Sequence, residues 1–239
     1  MKFEHTWTGG WENAMRGLRH PMESYKYADT KWYEDTETNE HLCFNQALEV
    51  DSQNAMFLGI GPKDMDLAQR MIKAGTPNDK FLRQIFVSVD ITAPLYLWKE
   101  LDQYKVGTTT DSTSTMHKLA STPITRECFE MDDYDGSLKM FDREPYNIDD
   151  YVDDMWDSVL DYCETLRKRY LETKDERYWK ELIRILPEGW LQTRTWTANY
   201  AVLRNIYHWR KDHRLSEWHT FCDWISQLPY ANELILYNN

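Results

Sequence analysis

The stretch "LPEGWLQTRTWTANYAVLRNIYHWR", residues 186–210, decides how the chain is read. Its pattern predicts a loop followed by an amphipathic helix. At about 100° per residue, Val202, Leu203 and Ile206 fall on one side, and Tyr200, Arg204, His208 and Lys211 on the other, where solvent is expected. Asn199 and Arg210 fall inside the apolar stripe, with Asn205 on its flank beside Trp209. A buried guanidinium without a partner costs several kcal/mol. Arg210 therefore calls for a carboxylate, such as Glu217 or a residue of the acidic belt upstream, or for an anionic ligand. A structural ion pair and a helix lining a polar pocket both satisfy that demand, and periodicity does not choose between them.

Outward from this stretch, "KFEHTW" reads as a short strand and "WENAMRGLRHPM" as a short helix stopped near Pro21. Residues 26–55 are polar and irregular, with "YEDTETNE" a solvated loop. "GPKDMDLAQRMIKAG" is a helix with Pro62 at its start and Gly75 as its stop. "IFVSVDITA" alternates, setting Val87, Val89 and Ile91 against Phe86, Ser88, Asp90 and Thr92, which is the signature of a strand. Pro94 opens a helix, "LYLWKELDQYKV", and seven of the eight residues from Thr108 to Thr115 then carry hydroxyls. An acidic belt, 129–157, leads into a long helix over 146–172, a second in "DERYWKELIRIL" and a last in "SEWHTFCDWISQL". No internal repeat or linker breaks the chain, so a single domain spanning 1–239 is expected.

Forty acidic against 28 basic residues give a net charge of -12. That balance disfavours generic binding to nucleic acid or anionic membrane, both of which call for clustered Lys and Arg. A local cationic pocket for a small anion stays compatible with it. The opening "MKFEHTWTGG" lacks the apolar core of a signal peptide, and no stretch has the length of a membrane span. Cys43, Cys128, Cys163 and Cys222 are scattered without CxxC spacing, which suits reduced thiols in a cytoplasmic protein. His208, His213 and His219 do not share a helical face, so no metal site is expected. "GIGPKD" is too short for a dinucleotide fingerprint or P-loop, and Cys222 between Trp218 and Ile225 reads as core.

Leu186 and Pro187, then Thr197, Asn199, Leu203 and Arg210, stand in the register of the C-terminal signature of flavin-dependent thymidylate synthases, and the chain resembles that family over about 56–118 and 180–228. The strand "FVSVDITAP" with its following helix is similar to the family's central segment. The resemblance implies an α+β fold of the thymidylate synthase-complementing-protein type, with a small, mostly antiparallel sheet surrounded by helices. It also implies a homotetramer with active sites between subunits. FAD would be held by Asn199 and Asn205, and Arg210 would pair with the pyrimidine of dUMP and raise its electrophilicity, a role a guanidinium fork suits. If catalysis is retained, the reaction implied is reductive methylation of dUMP with NADPH and methylenetetrahydrofolate.

The departures lie on the phosphate side. The family's R-H-R-x-x-S falls at Gln103, Tyr104, Lys105 and Thr108, and the arginine of its S-x-R-Y falls at Thr115, while Ala201 replaces another. A family histidine falls on Arg83. Two lost charge-assisted contacts, at roughly 1.5–3 kcal/mol each, weaken a ligand by orders of magnitude. Lys105, with Arg83 or Lys118, remains to supply positive charge, Lys105 and Arg83 being the candidates to hold the cofactor, and Thr108, Asp111, Thr113, Ser114 and Thr115 are the candidates to take the nucleotide phosphate through hydroxyls and backbone N–H groups. A second reading is a non-catalytic nucleotide-binding protein on the same scaffold. Compact, acidic, Trp-rich chains of this kind resemble products of bacteriophage genomes, where sequestering a nucleotide signal is useful.

Overall fold

The computed structural model describes residues 1–33, 56–143 and 148–237. Most of "YEDTETNE" and Cys43 lie outside them. In chain order the elements are β1 (Lys2–Gly9), α1 (Trp11–Arg19), β2 (Lys31–Tyr33), β3 (Met56–Gly59), α2 (Pro62–Ala74), β4 (Phe86–Pro94), α3 (Leu95–Leu101) and β5 (Thr109–Ser112). They continue with α4 (Thr115–Lys118), β6 (Lys139–Arg143), β7 (Ile148–Tyr151), α5 (Val152–Thr173), α6 (Glu176–Ile185), β8 (Leu191–Asn199), α7 (Tyr200–Arg210) and α8 (Ser216–Ser226). A four-stranded sheet has the order β1–β4–β8–β5, and β2–β3 and β6–β7 form separate antiparallel pairs. The architecture is mixed helix and antiparallel sheet, as expected.

β4 and β8 carry the sheet's centre, and their side-chain bonds reveal their direction. Thr92 meets Thr193 at 2.7 Å, Thr195 donates to Asp90 at 2.6 Å, and Thr197 donates to Ser88 at 3.1 Å. The partner number rises as the other falls, which is antiparallel pairing, and every second residue joins the polar ladder. The opposite face of β4 is Val87, Val89, Ile91 and Ala93, all buried.

This overturns part of the sequence reading. Residues 191–199 are a strand, not a loop, and the helix begins only at Tyr200. The threonines at 193, 195 and 197 are the period-2 signal of a β-branched strand face. Tyr200, placed toward solvent by the helical projection, is fully buried, its hydroxyl donating to the Pro229 carbonyl at 2.6 Å. Arg204, also placed outward, is half-buried and donates to the carbonyls of Ile235 (2.7 Å) and Tyr237 (2.6 Å). Two helices are shorter than expected: α3 stops at Leu101, and α5 starts at Val152, where Tyr151 and Asp154 close a reciprocal cap after β7.

The chain divides into two compact units. One consists of Met1, Thr92–Leu101 and Ser112–Arg194; the other of Lys2–Ile91, Asp102–Asp111 and Thr195–Asn239. The first is built on Leu119, Ile124, Phe129, Cys163 and Leu182, with Trp156 and Trp190 packed against them. Its acidic residues are organised around two arginines. Arg126 reaches Asp153 at 2.6 Å and Asp157 at 2.5 Å, and Glu164 accepts from Arg167 at 2.6 and 2.7 Å. The second unit buries Trp11, Leu82, Ile85, Trp218, Phe221 and Ile235 among others, and includes Cys222 in that core as expected. It also holds a buried pair, Arg19 and Asp64 at 2.7 Å, whose carboxylate accepts from Thr30 and the amide of Asp29 as well. Among the described residues no helix is long and apolar enough to cross a membrane.

Arg167 beside it, and then the Ile124 amide at 3.0 Å, hold the Glu164 carboxyl down at about 2, from 4.5. A folded value below the unfolded one contributes stability above pH 4.5 that is lost as pH falls toward 2. Glu164→Gln is expected to lower the unfolding free energy by about 2 kcal/mol at pH 7. In urea titrations the gap between variant and parent should narrow as pH is lowered from 4.5 to 2.

Candidate functional site

A cavity of about 410 Å³ opens in the second unit, lined by the turn after α3, the start of α7 and one residue of a 3-10 segment, Asn78–Gln84. The volume falls within the range of small-molecule sites, about 300–1,000 Å³. Strand β8 passes into α7 without a loop, and Asn199 makes the transition. Its backbone is still extended (φ -133, ψ 166), while its side-chain oxygen accepts from the Val202 amide at 3.1 Å, an N-cap. Asn199 is thus 6% exposed, as expected, but as a strand end and cap and not as a residue on the helix face.

The facing turn is tied to α7 at two points. Asn199 Nδ2 donates to the Gly107 carbonyl at 3.5 Å, and Arg210 Nε donates to the Tyr104 hydroxyl at 3.0 Å. Arg210 also lies over the Trp218 ring, 4.7 Å from its centroid, and over Tyr104 at 5.7 Å. Cation–π contacts of this kind hold a guanidinium in place without neutralising it. Thr108 closes the turn by donating to the Tyr104 carbonyl at 2.6 Å. Gly107 has φ +81, and a Cβ there would stand 2.7 Å from Asn199 Nδ2, so both the conformation and the space demand glycine.

Four residues singled out in the sequence line this cavity together: Arg83, Lys105, Asn199 and Asn205. Arg210 and Thr108 are not part of that lining: Arg210 donates to the hydroxyl of Tyr104, which is, and Thr108 to its carbonyl. Asp111 is exposed on β5. Thr113, Ser114 and Thr115 belong to the first unit, where Gln192 donates to the Thr113 carbonyl at 2.8 Å and to the Thr115 hydroxyl at 3.3 Å. Sequence reasoning did not single out Gly107 or Val202 and used Tyr104 only as a motif position. The signal for Gly107 was present: a lone glycine between a helix and a hydroxyl-rich run marks a position needing positive φ.

The donor set suits an anionic, planar ligand. Lys105 and Arg83 supply charge, Gln103 and Asn205 supply amide contacts, and the amino end of α7 adds the positive end of an eleven-residue helix dipole. Lys105 and Arg83 are the groups in this lining that can hold a phosphate.

No protein-family model matches the chain, and no curated protein does. Among solved structures it is similar to two crystal structures of the flavin-dependent thymidylate synthase ThyX from Helicobacter pylori, each complexed with FAD and dUMP. Both superpose with a TM-score of 0.59; one is 15% identical over 98% of both chains, the other 16% identical over 100% of both. The protein has a ThyX-like fold.

Gly107→Ala is expected to destabilise by about 1–2 kcal/mol from the left-handed backbone alone, and Asn199→Ala by about 1 kcal/mol through loss of the cap. Because the two residues touch, the double variant should cost less than the sum in denaturant unfolding; simple additivity would show that the contact is idle.

Proposed function

We propose that the protein binds FAD and a pyrimidine nucleotide at the α7 cavity, as a divergent flavin-dependent thymidylate synthase-like protein. The observation that carries this reading is the convergence of Arg83, Lys105, Asn199 and Asn205 on one cavity, on a ThyX-like fold. A bound flavin supplies hydride transfer; the rest is the work of this chain's residues. Lys105 and Arg83 hold phosphate, and Asn205 reads the edge of the ring system. Asn199 has both ends of its amide engaged by Val202 and Gly107, so its part is to fix the cavity wall as much as to touch a ligand. Arg210, stacked on Trp218 and Tyr104, is the group to stabilise negative charge developing on a uracil. No side-chain nucleophile takes part.

A second reading, a nucleotide binder without turnover, is favoured by one specific feature. Gln103 lines the cavity at the position where the resembled family has an arginine. Less fixed charge loosens the hold on a stacked flavin–nucleotide pair more than on a single ligand.

Thermal unfolding tests both readings. FAD or dUMP at a hundredfold its dissociation constant stabilises by about 2.7 kcal/mol, which for this size raises Tm by roughly 5–11 °C. Asn205→Ala and Lys105→Gln should reduce both shifts without lowering the Tm of the protein alone. Shifts with both ligands, followed by conversion of dUMP in the presence of NADPH and methylenetetrahydrofolate, support the enzyme. A dUMP shift alone selects the binder, and no shift with either ligand overturns the proposal.

A further inference from the structure

A second cavity, about 360 Å³, lies in the same unit on the polar side of α1 and has no part in the reading above. It is lined by Gly10, Asn13, Arg16, Gly17, His20, Gln84 and Phe86. Asn13, Arg16, Gly17 and His20 recur at i, i+3, i+4 and i+7, so one stripe of the helix forms the wall. Two features point to a ligand. First, Phe86 opens β4 on the face that alternation turns away from the buried valines, and it is 45% exposed. It offers a stacking face beside polar groups. Second, the polar side chains are held in place by their neighbours. Arg16 donates to Asn13 at 2.7 Å and to Glu12 at 3.4 Å, and His20 Nδ1 is bonded to the Tyr25 hydroxyl at 2.7 Å. Gly10 and Gly17 let the helix close onto residue 84: a Cβ at Gly17 would stand 3.0 Å from Gln84 Oε1, and one at Gly10, where φ is +88, would stand 2.0 Å from the Gln84 carbonyl.

We infer that this cavity is a separate binding site for a nucleoside monophosphate. The base stacks on Phe86, the amides of Asn13 and Gln84 read its edge, and Arg16 with His20 takes the phosphate. Glu12, one turn before Arg16 on the same helix, sets a requirement: an incoming phosphate draws the guanidinium away from that 3.4 Å contact. Stacking selects a flat ring, and Arg16 selects the phosphorylated form over the nucleoside. The site does not depend on flavin or dUMP binding at the α7 cavity.

Isothermal titration calorimetry with AMP and with adenosine tests the site, using the full chain and its Phe86→Ala, Arg16→Gln, Gly17→Leu and Lys105→Gln variants. AMP is expected to bind, and adenosine at least tenfold more weakly. Arg16→Gln should bring AMP down to the adenosine level, and Phe86→Ala should weaken both ligands about tenfold. Gly17→Leu, which fills the cavity from the helix side, should abolish binding, while Lys105→Gln in the other cavity leaves it unchanged. All four substitutions are at exposed or half-exposed positions, and Tm measured beside each titration identifies any that unfolds. No AMP binding overturns the inference. So does binding that survives both Phe86→Ala and Arg16→Gln in folded variants, or that is lost in Lys105→Gln.

Discussion

A strand that becomes a helix between one residue and the next is the constraint on which the site depends. At Asn199 the backbone is still extended, and at Tyr200 it is helical, so no loop absorbs the change. The side chain of Asn199 does so instead, capping α7 through Val202 and reaching across to the Gly107 carbonyl. The next residue, Tyr200, is anchored by its amide on the Ile85 carbonyl at 3.0 Å and by its hydroxyl on Pro229. The start of α7 is therefore fixed from three directions. The residues that follow, Ala201, Val202 and Asn205, take the positions around the cavity that this fixed start dictates. A shape-specific site requires that kind of rigidity in its supporting residues.

Tyr104 extends the same logic to the far end of α7. Its hydroxyl receives Arg210, its ring meets Trp218 edge-on with centroids 6.3 Å apart, and its carbonyl receives Thr108. One residue thus links the cavity wall, the turn and the guanidinium.

The elements with clean periodicity were legible in the sequence. β4 alternates without interruption, and α2 carries both its Pro62 start and its Gly75 stop. The 186–210 stretch was not, because a helical projection was applied across a boundary lying inside it. Thr193, Thr195 and Thr197 mark the strand, yet Val202, Leu203 and Ile206 satisfy a helix strongly enough to pull the assignment upstream. Of the residues lining the cavity, Arg83, Lys105, Asn199 and Asn205 were singled out through a resemblance of spacing. What joins them was hidden, since the Asn199–Gly107 and Arg210–Tyr104 contacts span about a hundred residues of chain and leave no local pattern. The α1 cavity was missed for a related reason: its polar stripe reads as an ordinary solvated helix face until Phe86 and Gln84 are brought beside it.

Arg204 carries a consequence for the order in which the molecule comes together. Burial pushes its guanidinium pKa down against the pull of Asp79, and it spends two donors on carbonyls at Ile235 and Tyr237. Those acceptors are made some thirty residues after the arginine itself. During synthesis, where earlier segments fold first, α7 emerges with a half-buried cation whose acceptors do not yet exist. The helix that bears the cavity can settle fully only when residues 235–237 have left the ribosome. A stall or stop codon just short of Ile235 would then leave the cavity-bearing helix in place and its pocket unfinished.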